Sequence, residues 1–257
     1  MSSLLHSEWI KLRSLRSVLW TTVTVVALMA GLGALFSFGK AHELATSGTA
    51  ADRAAFDPTA ASLSGMLLAQ IAVGVLGVLV VTSEFASGSI RPSLAAAPVR
   101  GRLLAAKAAT AAAVALVIGW VGGLAAFLLG QRVIAGQGLA AGSFGDGSVD
   151  RALLGAGLYL AVTALFGLAV GAMLRSTAGA LTIVIVVMLI APIFSAALPE
   201  AMARWVGKWW PSMAGLRVVT VMPDPSVLAP WAGFAVLAGF GAVVLAAAFA
   251  VFARRDV

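Results

Sequence analysis

Residues 152–174 read ALLGAGLYLAVTALFGLAVGAML, with Arg151 before them, Arg175 after them and no charged side chain between. Five more runs share that property: 17–39, 58–83, 108–131, 176–199 and 225–253. About 20 apolar residues carry a helix across the hydrocarbon core of a bilayer. Inside lipid every backbone N–H and C=O must be paired within the segment, so the helix is the economical form of such a run. The chain therefore reads as an all-α polytopic membrane protein with six transmembrane helices. The spans fall at about 17–39, 60–83, 106–131, 152–174, 177–198 and 229–253, within a single transmembrane domain over 1–257.

Composition agrees. Hydrophobic residues make up 61% of the chain and charged residues 11%, against about 45–50% and 25% in soluble domains. The mean hydropathy is +1.04. The pieces between spans are all shorter than the ~40 residues an unstapled domain needs to fold alone. There is no cysteine, which removes disulfides, thiolate metal sites and cysteine nucleophiles from consideration. The first apolar run is too long for a signal-peptide core and lacks a small-residue cleavage site, so it reads as a retained span.

The formal charge is +7, and its distribution argues against nucleic acid as a partner. An even number of spans puts both termini on one side. That side, with 1–16, 83–107, Arg175 and 254–257, holds ten Lys or Arg and three acids, whereas the other side holds seven of each. The positive-inside rule makes the basic side cytoplasmic. Trp9 and Trp20 fall at the inner edge and Trp205, Trp209, Trp210 and Trp231 at the outer one, where indole rings prefer to lie.

Residues 2–16 read as an amphipathic helix lying in the interface plane on membrane lipid. Leu4, Leu5, Trp9, Leu12 and Leu15 share one face; His6, Ser7, Lys11 and Arg13 lie around the other. Gly167-x-x-x-Gly171 in span four allows close helix packing. Pro192 in span five removes a backbone donor and is expected to kink that helix. The glycine-rich loop after span three reads as a flexible linker, and 40–57 as a polar outer loop. Segment 199–228, with three Trp and Pro199, Pro211, Pro223 and Pro225, is too apolar for a solvated loop and too broken for a span. It reads as short re-entrant helices in the outer leaflet.

Several chemistries find no support. Ser64-Gly65 resembles a serine elbow, but none of the six charge-free runs supplies a base to activate it. The metalloprotease motif H-E-x-x-H is absent. The charge-free runs also lack the ionisable groups of a proton or sodium relay, and no filter loop or ring of charge points to a channel. Gly39-Lys40 lacks the glycine spacing and the Ser/Thr of a phosphate-binding loop. The driving energy must then come from another protein on the cytoplasmic face. One loop there, 84–102, is built to receive it. In it Glu84, Gly88, Arg91, Pro98, Arg100 and Arg102 surround a helix-compatible stretch, 89–97. Ser89 is placed to cap that helix, with Pro92 tolerated in its first turn. Glu84, at the end of span two, is placed to pair with an arginine or to cap a helix.

At this loop the sequence resembles the permease subunits of type-two ATP-binding-cassette (ABC) transporters, the exporter class with six spans per subunit. Glu84-Phe85 is followed by Ser87-Gly88-Ser89-Ile90-Arg91, then Leu94, Pro98 and Arg100. SEWIKLRS, Ser7 to Ser14, is similar to that family's opening helix. The resemblance implies two membrane subunits, expected to be a homodimer, above two separate nucleotide-binding ATPase subunits that hold ATP and Mg. It implies no cofactor and no catalytic or metal site on this chain. It implies ATPase coupling through Glu84, Phe85, Gly88, Arg91, Pro98 and Arg100, with Glu8, Trp9, Lys11 and Arg13 on the interfacial helix beside them. Gln70, Phe194 and Ser195 are the candidate pathway residues. The setting implied is a bacterial cytoplasmic membrane; an apolar, aromatic pathway would suit a hydrophobic or amphipathic cargo such as a lipid-like molecule, drug or peptide. The alternative is an ABC-type scaffold or assembly factor that transmits ATP-driven motion and transports nothing.

Overall fold

The computed structural model describes residues 6–10, 16–90, 100–222 and 224–254. The fold is all-α among them. Residues 6–10 are helical and precede α1 (Arg16–Thr46), two short helices α2 (Ala50–Ala54) and α3 (Pro58–Ser62), α4 (Met66–Ala86), α5 (Arg100–Gly136) and α6 (Gly147–Leu174). Next come α7 (Thr177–Ile185), a π turn (Val186–Ile190), α8 (Ala191–Phe194), α9 (Glu200–Trp209), α10 (Pro211–Leu216) and α11 (Pro230–Arg254). Six helical stretches are long and apolar enough to cross a membrane, the fifth being Thr177–Ala197, which joins α7, the π turn and α8. The helical segment 6–10 and the end of α11 lie at one end of this bundle, the basic end.

α6 is the centre. In its most apolar window 72% of the residues are buried, against 22% in α1 and 17% in α11. It packs on α4, α5, α7 and α11. Small residues permit the closest of these contacts: a Cβ on Gly77 would collide with the Ala164 carbonyl, and one on Gly167 with the Gly74 carbonyl. Helix backbones that touch this closely gain dispersion contact along their length, which is the force left to helices already in lipid. The outer faces of α1 and α11 keep Leu19, Trp20, Leu35 and Val243 exposed, as lipid contact requires.

Pro192 acts through hydrogen bonding. It has no N–H to give the Met188 carbonyl, and the Ala191 N–H reaches Val186 in the π turn instead of Val187. Two carbonyls are thereby freed in the middle of the bundle. Gln70 Nε2 donates to the Met188 oxygen at 3.2 Å, and Trp210 Nε1 to the Val187 oxygen at 2.8 Å. Lipid offers no alternative donors, so these side chains are what make the turn tolerable.

Two loops are more ordered than their composition implies. Residues 40–57 are largely helix: α1 continues to Thr46, and Thr49 with Asp52 forms a capping box on α2. The glycine-rich loop after α5 is tied down rather than loose, because the Gly142 N–H donates to Gln131 Oε1 at 2.7 Å. Segment 199–228 contains α9, α10 and a 3₁₀ turn, Arg217–Val219.

Candidate functional site

The basic end holds the densest charge chemistry of the molecule. α4 ends at Ala86, Ser87 closes it, and Gly88 turns the chain with φ of +72°, a conformation that costs glycine little. Within its last turn are Glu84 and Phe85. Neighbours on a helix point about 100° apart, so the pair reaches in two directions.

Glu84 reaches toward α5. Lys107 Nζ donates to Glu84 Oε1 at 2.7 Å and to Glu8 Oε2 at 2.8 Å. The lysine is 2% exposed and Glu8 equally buried. One ammonium is thus shared by two carboxylates, and the three groups come from the N-terminal helical segment, the end of α4 and the start of α5. Taking three charges out of water is tolerable only with short bonds of this kind. Around them Val81, Leu103, Leu104, Ala108 and Ala111 form a small apolar cluster with Ile90 and Phe252, which keeps the pairs dry.

Phe85 reaches the other way. Its ring meets Phe252 of α11 edge-on, with centroids 6.4 Å apart, and carries the Arg175 guanidinium 5.1 Å from its centre. Arg175 closes α6 with φ of +54°, and its N–H bonds the Gly171 carbonyl at 2.9 Å. A left-handed residue other than glycine costs about 1 kcal/mol or more. Here it aims a cation at an aromatic face, a favourable contact. Through two adjacent residues the end of α4 touches α5, the α6–α7 turn and α11, and through Lys107 it is linked to the N-terminal segment.

Of the residues singled out from the sequence, Glu8, Glu84, Phe85, Gly88 and Arg100 are brought together at this end. Trp9 lies beside them, half exposed, over a groove between α1 and α5. Arg100 opens α5. Lys11, Arg13, Arg91 and Pro98, with most of the 89–97 helix, fall outside the described residues. Glu84 takes a lysine as partner. That lysine is enclosed at the start of the third span, one residue before the charge-free run 108–131. Its signal in the sequence was position: Arg100 and Lys107 are seven residues apart, two turns along one face, and Lys107 directly precedes the charge-free run.

The proposed pathway residues do not share a surface. Gln70 is fully buried in the bundle, donating to the Leu67 and Met188 carbonyls and accepting from the Tyr159 hydroxyl. Phe194 is exposed, and Ser195 donates to the Pro192 carbonyl of its own helix at 2.6 Å. Tyr159, the one tyrosine of the chain, went unremarked in the sequence although it fixes Gln70.

At the opposite end, charged groups bond mainly to the backbone. Asp57 accepts from the N–H groups of Ala60, Val221 and Met222, and Arg151 donates to the carbonyls of Val218 and Thr220. These bonds fasten the segment after α10 to α3 and α6.

Fold and site together define a polytopic membrane protein with a buried cluster of ion pairs at its basic end. The chain belongs to the ABC-2 family of transporter proteins: the family model described as "ABC-2 family transporter protein" matches residues 4–205. Members of this kind are the membrane permease component and not the ATPase, and they work with an ATPase subunit. Among curated proteins no match was found.

Proposed function

We propose that this chain is the export permease of an ATP-driven transporter, one of two identical copies above two nucleotide-binding subunits that bind ATP and Mg. The basic end faces the cytoplasm, in keeping with its excess of Lys and Arg, and the membrane is a bacterial cytoplasmic one. The ATPase grips the segment after α4 together with the N-terminal helix. The observation that carries this reading is the Lys107 ammonium shared by Glu8 and Glu84. A push on either carboxylate reaches α4 and α5 through short, dry bonds, and Phe85 passes it to α11 and the α6–α7 turn. Arg91, Pro98 and Arg100 complete the coupling loop, with Trp9, Lys11 and Arg13 on the adjoining helix. Segment 199–228 dips into the outer leaflet.

The cargo is hydrophobic or amphipathic, a lipid-like molecule, drug or peptide. In support, the fifth span exposes Ile183, Val186, Ile190, Ile193 and Phe194 at helical spacing, an apolar face suited to the seam between two copies. Phe194 is the pathway residue on that face, with Ser195 next to it in the chain. The test is reconstitution with the partner ATPase in vesicles, measuring ATP hydrolysis and export together. Glu84→Gln should leave hydrolysis running while export falls at least tenfold. Equal export by both proteins would refute the coupling role. Movement of solute by the lone chain down a pH or sodium gradient would refute the ATP-driven reading itself.

A further inference from the structure

The end of the bundle opposite the termini has a half-open cavity of about 740 Å³, within the size range of small-molecule sites. It lies where α6 and α11 begin, at Arg151 and Trp231, and so at headgroup depth for two spans. Its lining includes apolar Met222, Val227, Leu228 and Trp231 together with the cations Arg217 and Arg151. The two acids on the lining already have partners. Asp57 accepts three backbone N–H groups, and Asp224 Oδ1 accepts from the N–H and hydroxyl of Ser226. Arg151 gives two N–H groups to the carbonyls of Val218 and Thr220, and so holds in place the turn that bears Arg217.

Arg217 differs from all of these. Its guanidinium makes no hydrogen bond or ion pair among the described residues; Asp224 acts on it only through space. Its Nε is out of reach of solvent and has no acceptor. A buried donor left unmatched costs about 1–3 kcal/mol, more when charged. A cation with no hydrogen-bonded anion among the described residues, on a lining that is otherwise largely apolar and at headgroup level, is complementary to an anionic head on an apolar body.

We propose that this cavity binds the phosphate headgroup of a phospholipid from the leaflet at that end, with Arg217 on the phosphate oxygens and the start of an acyl chain against Trp231 and Leu228. The lipid would lock the segment after α10 onto α11. This inference does not depend on the export reading, since its readouts need no ATPase.

The experiment uses the full chain, purified in maltoside detergent and stripped of lipid. Short-chain phosphatidylglycerol is titrated against it, with diacylglycerol of the same chain length and inorganic phosphate as separate arms. Binding is followed by native mass spectrometry and by the thermal midpoint. Phosphatidylglycerol should bind one molecule per chain and raise the midpoint, and Arg217→Gln should weaken it at least tenfold while Arg217→Lys retains part of it. Equal stabilisation by diacylglycerol would overturn the proposal by showing a purely apolar groove. Equal stabilisation by inorganic phosphate would overturn it by showing a free-anion site. Hydrogen exchange on the unmutated chain gives an arm independent of folding of the variants: phosphatidylglycerol should slow exchange at 217–222, and unchanged exchange there would refute the site.

Discussion

At the basic end charged side chains bond to one another, whereas at the opposite end they bond chiefly to backbone. Lys107 joins two carboxylates from two other parts of the chain. Asp57 and Arg151 instead satisfy N–H and C=O groups of the segment after α10, and Gln131 bridges the Pro58 carbonyl and the Gly142 N–H. A side chain bonded to backbone fixes a loop, because it replaces hydrogen bonds the loop cannot make for itself. Two charged side chains bonded to each other leave each backbone free to move while the pair holds or exchanges partners. One end is fastened, the other jointed.

The largest expected effect breaks the joint. Lys107→Met removes the cation that two carboxylates share, a loss of about 3–5 kcal/mol. The thermal midpoint should fall sharply and ATP hydrolysis should no longer drive export. Replacing all three groups with apolar residues of similar size (Glu8→Leu, Glu84→Leu, Lys107→Met) should recover much of the stability and none of the coupling. Recovery of both would make the triad a packing element only.

Asp57→Ala tests the fastened end. It strips acceptors from three backbone N–H groups and should cost about 1–3 kcal/mol, while the ratio of export to hydrolysis stays unchanged. A changed ratio would erase the distinction between the two ends. Midway between them, Tyr159→Phe removes the hydroxyl that holds Gln70, with an expected loss of about 1 kcal/mol in thermal unfolding. Gln70→Leu should cost more, because the Met188 carbonyl beside Pro192 then loses its donor.

The smallest effect concerns pH. Hydrogen bonds from the Ser148 hydroxyl and N–H hold the Asp146 carboxyl, the cap of α6, below its ordinary 3.8, and Thr49 does the same for Asp52. A depressed carboxyl stabilises the fold above its unfolded value, and that stabilisation is lost as pH falls through the lower folded one. The protection of first-turn α6 amides against exchange, corrected for the intrinsic rate at each pH, should be constant from pH 7 to 5 and should fall only below about 3.8. Asp146→Asn should flatten that fall.

Six spans and a basic end were legible because each is local. A run without charge has one stable form in lipid whatever its neighbours are, and a count of Lys and Arg needs no coordinates. Glu8, Glu84 and Phe85 were legible as a motif, though their contacts were not. Lys107 was hidden because a lysine at the edge of a span normally extends to the headgroups; only the approach of two distant carboxylates keeps it inside. Gln70 showed the same limit. An amide in a span has two readings, a pathway wall or a bond between helices, and the choice turned on Tyr159 and on the carbonyl freed by Pro192. Residues 84, 107 and 8 are joined by contacts that span much of the sequence, and such contacts exist only once the helices have packed. The sequence by itself determined which segments enter the membrane, since burial in lipid is decided segment by segment. Tertiary structure decided which charges meet, because a buried charge is stable only where its partner arrives within hydrogen-bonding distance.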